Sequence, residues 1–367
     1  MKKNIYIGMS GGVDSSVSAL LLKQQGYEVI GVFIKTWQPD YIECTWKDDR
    51  LDAMRVAAQL DIPFITLDLE KEYKEGVVDY MINEYLAGRT PNPDIMCNKE
   101  IKFGAFYKYV KSIDSNAMIA TGHYAATTPF PLGRAGDGMN LALSKAFDQS
   151  KDQVYFLAQI DRNILSDVIF PLGNMMKSGV REIAKKNNLY VANKKDSQGI
   201  CMLGNISMKD FLKKEIPNAN EVLFYTIGER LDFNISEKNN NINTINDSKE
   251  NINQGPYYVT SKNIKNNTLY ISNNKIENNK NKIYNIESWN YTSNIGLKEG
   301  DIYEGQTRYH GEIHKFKVIE YKEVLQIKNI IKYKLLLETI DDKTLMVSGQ
   351  TIVLYDGDLM IGGGIIA

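Results

Sequence analysis

The sequence predicts an α/β protein: a doubly wound parallel sheet, then a small central domain and a C-terminal β-barrel. Three observations predict it. Over residues 1–205, short continuous apolar runs alternate with helical periodicities, as expected of parallel strands covered on both faces. From Asn234 to Asn281 the composition shifts to sixteen asparagines among few large apolar residues. Beyond Ile283, apolar residues alternate at the short spacings of an all-β unit. The expected domains are therefore 1–205, 206–282 and 283–367.

Composition narrows the function classes. A chain of 367 residues with 43% hydrophobic and 24% charged residues can bury several cores without cross-links. Its 44 Lys and Arg stand against 45 Asp and Glu, so a nucleic-acid partner would have to be met by a local basic face. No apolar run approaches a membrane span, and the run after Met1-Lys2-Lys3 is too short for a signal peptide. The expectation is a cytoplasmic protein with no membrane partner. Cys44, Cys97 and Cys201 are odd in number and far apart, which indicates neither a disulfide framework nor a metal site.

The first element is the apolar run Ile5 to Met9, leading through Ser10-Gly11-Gly12-Val13-Asp14-Ser15-Ser16 into a helical pattern from Val17. A strand ending in two glycines can turn sharply, so that backbone N–H groups of the turn and of the first helical turn converge on one anion. Ser15 or Ser16 is the expected N-cap and Gly26 the C-terminal stop. No lysine follows the glycines, unlike the phosphate loop of common kinases and GTPases. The next strand is Val29 to Ile34. A helix from about Asp48 to Leu60 should bury Leu51, Met54, Ala57 and Ala58. Then come a strand at Pro63 to Leu69, a helix from about Lys71 to Leu86, and a strand at Ala117 to Thr121. Ligands of such sheets bind at the carboxyl ends of strands, here Ser10, Ile34 and Gly122-His123.

Between the last two elements, the prolines of Thr90-Pro91-Asn92-Pro93-Asp94-Ile95-Met96-Cys97-Asn98-Lys99 predict a shaped loop entering a helix near Ile101. Lys99 and Lys102 near Cys97 favour a thiolate, although an isolated cysteine reads equally as a buried structural one. Ser150 to Leu157 should open a helix, and Lys177 to Leu189 form another whose basic residues also fit a plain solvated face. A second cysteine, Cys201, follows the Asp196-Ser197-Gln198-Gly199 turn. In the asparagine-rich part, Gln254 to Val259 and Asn267 to Ile271 read as strands. Ile352 to Ile361 is a hairpin around an Asp-Gly turn, ended by Gly362-Gly363-Gly364.

The run at Ser10 to Ser16 resembles the PP-loop of the ATP pyrophosphatases, a Rossmann-like group that holds the β- and γ-phosphates as a leaving group. Together with Thr90 to Phe103, Ala120 to Tyr124, Lys151 to Gln153, Lys195 to Cys201, Ser348 to Gln350, Tyr355 to Gly357 and Gly362 to Ile365, it resembles the tRNA-specific 2-thiouridylases, or tRNA-uridine 2-sulfurtransferases. The resemblance implies ATP with Mg²⁺, a tRNA substrate and a persulfide donor protein of a sulfur relay. It implies that Gly8, Met9, Ser10, Gly11, Gly12, Val13, Asp14, Ser15, Ile34 and Gly122 hold ATP. Asn92, Pro93 and Asp94 would meet the target base, while His123, Lys151, Asp152, Gln153, Arg308, Tyr309 and Gln350 would touch tRNA. Cys97 would be the nucleophile, Cys201 the persulfide carrier, the two ending as a disulfide, and Asp94 a proton carrier. His123 also reads as a hydrogen-bonded residue at a strand end.

The chain departs from the family pattern after Gly228, where Glu229-Arg230-Leu231-Asp232 replaces the usual basic, glycine-rich turn, and at His310, where a second arginine is usual. Two other readings use the same residues. A PP-loop ligase that adenylates a small carbonyl substrate would need no paired cysteines, and a tRNA-binding module would bind without turnover.

Overall fold

The computed structural model describes residues 3–42, 46–129, 141–195, 206–231, 242–244, 256–273, 281–327, 330–341 and 344–367. Five parallel strands, β1 (Asn4–Gly8), β2 (Glu28–Lys35), β3 (Phe64–Asp68), β4 (Met118–Ala120) and β7 (Val168–Ile169), form a sheet in the order β3-β2-β1-β4-β7. At its centre, Ile5 and Ile7 of β1 are fully buried. They share one core with α1 (Val13–Gln24), α2 (Trp46–Gln59) and α7 (Lys177–Lys186). The opposite face packs against α3 (Glu70–Tyr73), α4 (Tyr80–Leu86), α5 (Pro93–Met96) and α6 (Phe106–Ile113). Helices on both faces make the doubly wound sheet that the alternation of runs predicts.

Local readings needed correction where tertiary packing outweighed pattern. Gly12, not Ser15 or Ser16, caps α1; both serines lie inside the helix and donate their hydroxyls back to the Gly12 carbonyl. Helix α2 buries Ala53, Val56 and Ala57 and leaves Met54 exposed, so the small residues face the sheet and the expected face is rotated. The helix expected near Ile101 begins at Pro93 and runs on without a break, with π-helical turns at Cys97–Ala105, into α6. Proline at the first helical position has no N–H to lose there, so Pro93 starts the helix instead of forbidding it. Of the helix expected at Ser150 to Leu157, only a 3₁₀ turn at Val154–Leu157 forms.

The central unit begins with α8 (Met208–Glu215) and contains a four-stranded sheet, ordered β8 (Arg230–Leu231), β10 (Tyr257–Asn263), β11 (Thr268–Ser272), β9 (Ile242–Thr244). Both expected strands of the asparagine-rich part are present as β10 and β11. Six antiparallel strands then close a barrel: β12 (Ile283–Tyr291), β15 (Ile330–Thr339), β14 (His314–Ile327), β13 (Ile302–Gln306), β16 (Thr351–Asp356) and β17 (Leu359–Ile366), with β17 pairing back onto β12. Two strands from the first part of the chain, β5 (Ala126–Pro129) and β6 (Leu141–Ser144), extend this sheet from β17. Val353, Tyr355 and Met360 of the barrel belong to the same core as α4 to α6. Among the described residues no helix is long and apolar enough to cross a membrane.

The three glycines expected to end the last hairpin instead lie inside β17. Close packing explains them: a Cβ on Gly362 would lie 2.2 Å from the Asn290 carbonyl oxygen, and one on Gly363 would lie 2.7 Å from the Ala158 Cβ. A Gly363→Val substitution should therefore push the barrel away from the 158–163 segment. We expect it to lower stability by about 1–3 kcal/mol, read as an earlier urea unfolding midpoint.

Candidate active site

Strand β1 ends at Gly8, and the chain turns through Met9 to Gly12 into α1. The turn is held from both sides. The Met9 N–H donates to the Val32 carbonyl at 2.8 Å, the Ser10 N–H to the Ser15 hydroxyl at 3.2 Å, and the Gly12 N–H to the Ser10 hydroxyl at 3.4 Å. Neighbouring backbone crowds the loop. A Cβ on Gly11 would fall 2.2 Å from the Asp49 carbonyl oxygen, and one on Gly122 would fall 2.8 Å from the Ser15 nitrogen. The end of β4 thus seats directly on the first turn of α1. Gly12 makes no side-chain capping bond, so first-turn N–H groups of α1 are the donors an anion would meet. Ile34 stands one residue before the end of β2.

The cation absent after the glycines comes from elsewhere in the chain. Lys177, the first residue of α7, puts its Nζ 2.8 Å from both carboxylate oxygens of Asp14, and the Tyr124 hydroxyl donates to Asp14 Oδ1 at 3.0 Å. Lys177 is positioned in turn by its own N–H, which donates to Asp148 Oδ2 at 2.9 Å; that bond and the Ser150 hydroxyl hold the Asp148 carboxyl below its ordinary range. Nothing local in the sequence links Lys177 to Asp14, since 163 residues separate the two partners.

The second part of the site is the start of α5. The Asn92 Oδ1 accepts from the N–H groups of Asp94 at 3.1 Å and Ile95 at 3.3 Å, a helix cap followed by Pro93 at the first position. Asp94 is half-buried in the first turn, and Cys97, fully buried, opens the π-helical stretch. Asn98 beside it donates to the Phe156 carbonyl at 3.1 Å. An open hollow of about 420 Å³ lies over Pro91, Asn92, Pro93 and Asp94, lined also by Ile206, Ser207 and Met208.

The residues expected to meet RNA fall in two groups that the barrel brings together. The Gln153 side chain accepts from the Tyr124 N–H at 3.0 Å while its own N–H donates to the Tyr124 carbonyl at 2.8 Å, which joins the 151–153 turn to the Asp14 site. Asp152 accepts from the N–H groups of Ala146 and Val154, and burial raises its carboxyl above the usual range despite them. Over this turn lies the barrel segment with exposed Arg308 and half-buried Tyr309, whose ring packs 4.3 Å from that of Phe156. Lys151 is half-buried at the edge. Gln350 donates to the Thr90 carbonyl at 2.7 Å.

His123 is buried, 2.8 Å from the Thr121 hydroxyl through Nδ1. Cys44 and Cys201 lie outside the described residues. The flanks of the Cys201 stretch are described. On one side Lys194 pairs with Asp49 at 2.8 Å and Asp52 at 2.7 Å, and Asp49 is the residue pressed against Gly11. On the other side Ile206 to Met208 line the cavity over Asn92 to Asp94.

Burial first, and the Lys102 charge second, hold the His123 imidazole well below its ordinary 6.5. The folded chain then binds fewer protons at His123 than the unfolded chain does. Its contribution to stability is full above about pH 6.5 and is lost below it, by up to about 1.4 kcal/mol per pH unit. His123→Phe should remove that share of the acid sensitivity, measured as the difference in urea unfolding free energy between about pH 7 and about pH 5.5.

A family model described as the tRNA methyl transferase HUP domain matches residues 3–205, more than half of the chain. The tRNA-specific 2-thiouridylase MnmA of Christiangramia forsetii is 50% identical over 225 residues, which cover 60% of this chain and 56% of that protein. The protein of the same name from Streptococcus thermophilus is 46% identical over 246 residues, covering 62% and 64%. The chain thus spans about 56 to 64% of the length of these relatives. Among solved structures, the NMN synthetase of Francisella tularensis aligns over 57% of this chain and 72% of its own, at 18% identity and a TM-score of 0.36. The match over the whole α/β part shows that the chain belongs to the tRNA methyl transferase HUP domain family.

Proposed function

We propose that the protein catalyses ATP-dependent 2-thiolation of the wobble uridine in tRNAs for Lys, Glu and Gln. In this reading the C2 oxygen is adenylated and then replaced by persulfide sulfur, with release of pyrophosphate and AMP. One observation carries it: a loop fit for phosphate follows Gly8 at the end of β1, and the helix whose capped start bears Asp94 and Cys97 continues to Phe106, whose ring lies against Gly8.

The loop fits a nucleotide polyphosphate, since α1 offers its uncapped first turn and Lys177 brings a positive charge to Asp14. Gly8 to Ser15, Ile34 and Gly122 would hold ATP, which would bring its own Mg²⁺. Asn92, Pro93 and Asp94 receive the uridine. Lys151, Asp152, Gln153, Arg308 and Tyr309 support the surrounding RNA, with His123 behind them.

The uridine C2 oxygen attacks the α-phosphorus, an O–P bond forms, and pyrophosphate leaves with the broken bond's electrons. A persulfide on Cys201, loaded by a sulfur-relay protein, attacks C2 through its terminal sulfur. AMP then departs with the former carbonyl oxygen. The Cys97 thiolate attacks the Cys201 sulfur and breaks the S–S bond of the adduct. This leaves 2-thiouridine and a Cys97–Cys201 disulfide, which an external dithiol reduces. Asp94 takes and returns the proton. The described flanks of the Cys201 stretch support this order, one adjoining the phosphate loop and the other the Asn92 cavity.

The test is nucleoside mass spectrometry of unmodified tRNA for Glu after incubation with the protein, ATP, Mg²⁺ and a persulfide donor that passes its outer sulfur to Cys201 by thiol exchange. We expect 2-thiouridine with the unaltered chain and none with Cys201→Ser, which should still release pyrophosphate. Asp14→Ala should lower pyrophosphate release by roughly two orders of magnitude or more. Thiolation by Cys201→Ser would remove the persulfide role. Pyrophosphate release without any change in tRNA, dependent instead on a small carbonyl substrate, would favour a ligase. Binding of tRNA without pyrophosphate release would favour a binding module.

A further inference from the structure

The helix start bearing Asn92, Asp94 and Cys97 is held by four consecutive barrel residues. The Thr90 N–H donates to the Ser348 carbonyl at 2.9 Å, and the Gln350 side-chain amide donates to the Thr90 carbonyl at 2.7 Å, so both backbone polar groups of Thr90 are bound by the barrel. Between them Gly349 lies in the left-handed region at φ +88°, and a Cβ there would stand 2.6 Å from the Thr90 nitrogen. The Thr351 carbonyl accepts from the buried Tyr155 hydroxyl at 2.8 Å, and the Asn92 side chain lies beside that hydroxyl. The barrel segment is itself pinned, with the Gly349 N–H on the Ile366 carbonyl and the Ile366 N–H on the Gln350 carbonyl.

We propose that Gln350 is a positioning residue for the reaction: with Gly349 it fixes Thr90, and through Thr90 the Asn92 cap, Asp94 and the buried Cys97. This rests on the thiolation reading above and changes the part Gln350 plays in it. Its amide is engaged with the protein's own catalytic segment, so its substitution acts on the rate of the bound complex and not on the grip on RNA. The barrel is then a working part of the catalytic apparatus as well as an RNA-facing surface. Releasing the Thr90 carbonyl lets the two residues before the cap move. A displaced cap frees the first turn, which holds Asp94, and the next, which holds Cys97.

Two variants perturb the clamp from different atoms. Gln350→Met keeps length and removes the donor, and Gly349→Ala places a methyl against the Thr90 backbone. Each is first checked by its thermal unfolding midpoint. Peptide-mapped alkylation by iodoacetamide then reads the exposure of Cys97 without tRNA. Turnover at saturating tRNA and the tRNA dissociation constant are measured separately. We expect Cys97 alkylation to rise roughly tenfold or more in both variants, as a local opening would produce. Turnover should fall by a similar factor while tRNA affinity stays within about twofold. Gln350→Asn, too short to reach Thr90, should behave like Gln350→Met.

Unchanged Cys97 reactivity in both variants would overturn the proposal, whether or not either variant is less stable. So would weakened tRNA binding with unchanged turnover, which would make Gln350 an RNA contact. If the unaltered protein forms no 2-thiouridine, the thiolation reading fails, while the alkylation of Cys97 still decides whether the clamp exists.

Discussion

The ion pair between Asp14 and Lys177 joins the parts of the α/β unit that matter chemically. Asp14 belongs to the first turn of α1 and Lys177 to the first residue of α7, so the pair brings two helix N-termini to one point at the carboxyl end of the sheet. Each partner is tied further, Asp14 by Tyr124 and Lys177 by Asp148. Tyr124 is also bound through its backbone to Gln153. The phosphate loop, the end of β4, the 151–153 turn and α7 thereby form one connected polar unit. Lysine, a compact point charge on a flexible stem, can stay with the carboxylate or turn to a phosphate beside it.

The second organising fact is that the barrel reaches into the α/β unit instead of standing beside it. Tyr309 packs on Phe156, Thr351 binds Tyr155, and the Gln159 side chain donates to the carbonyls of Ser288 and Gly363. The Phe156 carbonyl holds Asn98 and Tyr155 lies beside Asn92, so the short 3₁₀ turn that carries both links the barrel to the helix containing Cys97. A helical turn of only four residues suits that task. Its side chains point in several directions over a short length, and its backbone carbonyls remain available.

Some of this was legible in the sequence because it is local. The strand, glycine turn and helix at Ser10 to Ser16 are neighbours in the chain, and the alternation that follows specifies a doubly wound sheet whatever its details. The barrel showed itself through strand spacing alone. What pattern could not show is which partner wins when several are acceptable. Apolar count placed Met54 inward on α2, but the close approach of helix and sheet favours Ala53 and Ala57. Proline spacing suggested a loop through Pro93, yet Asn92 supplies the cap that makes Pro93 the start of a helix. Gly362 to Gly364 looked like a terminus because nothing local reveals that β12 and Ala158 leave no room for side chains. Lys177 and Gln350 were beyond local reading for the same reason: their partners lie 163 and 260 positions away.

The distribution of charge bears on how the proposed RNA substrate would be met. With a net charge of −1, the chain has no long-range field to gather a polyanion. Several of its cations are engaged with carboxylates, Lys177 with Asp14, Lys194 with Asp49 and Asp52, Lys111 with Asp167, Arg89 with Glu84. The Arg308 to His310 turn carries a single arginine. On the proposed reading, attraction for phosphate would therefore be local and modest, and most of the discrimination would come from shape and from the fit around one base. The Asn92 hollow is suited to that, since it is lined by a helix start fixed from the barrel and by the start of α8. A site that depends on fit more than on charge has to keep its walls still, which gives the bonds at Thr90 their importance.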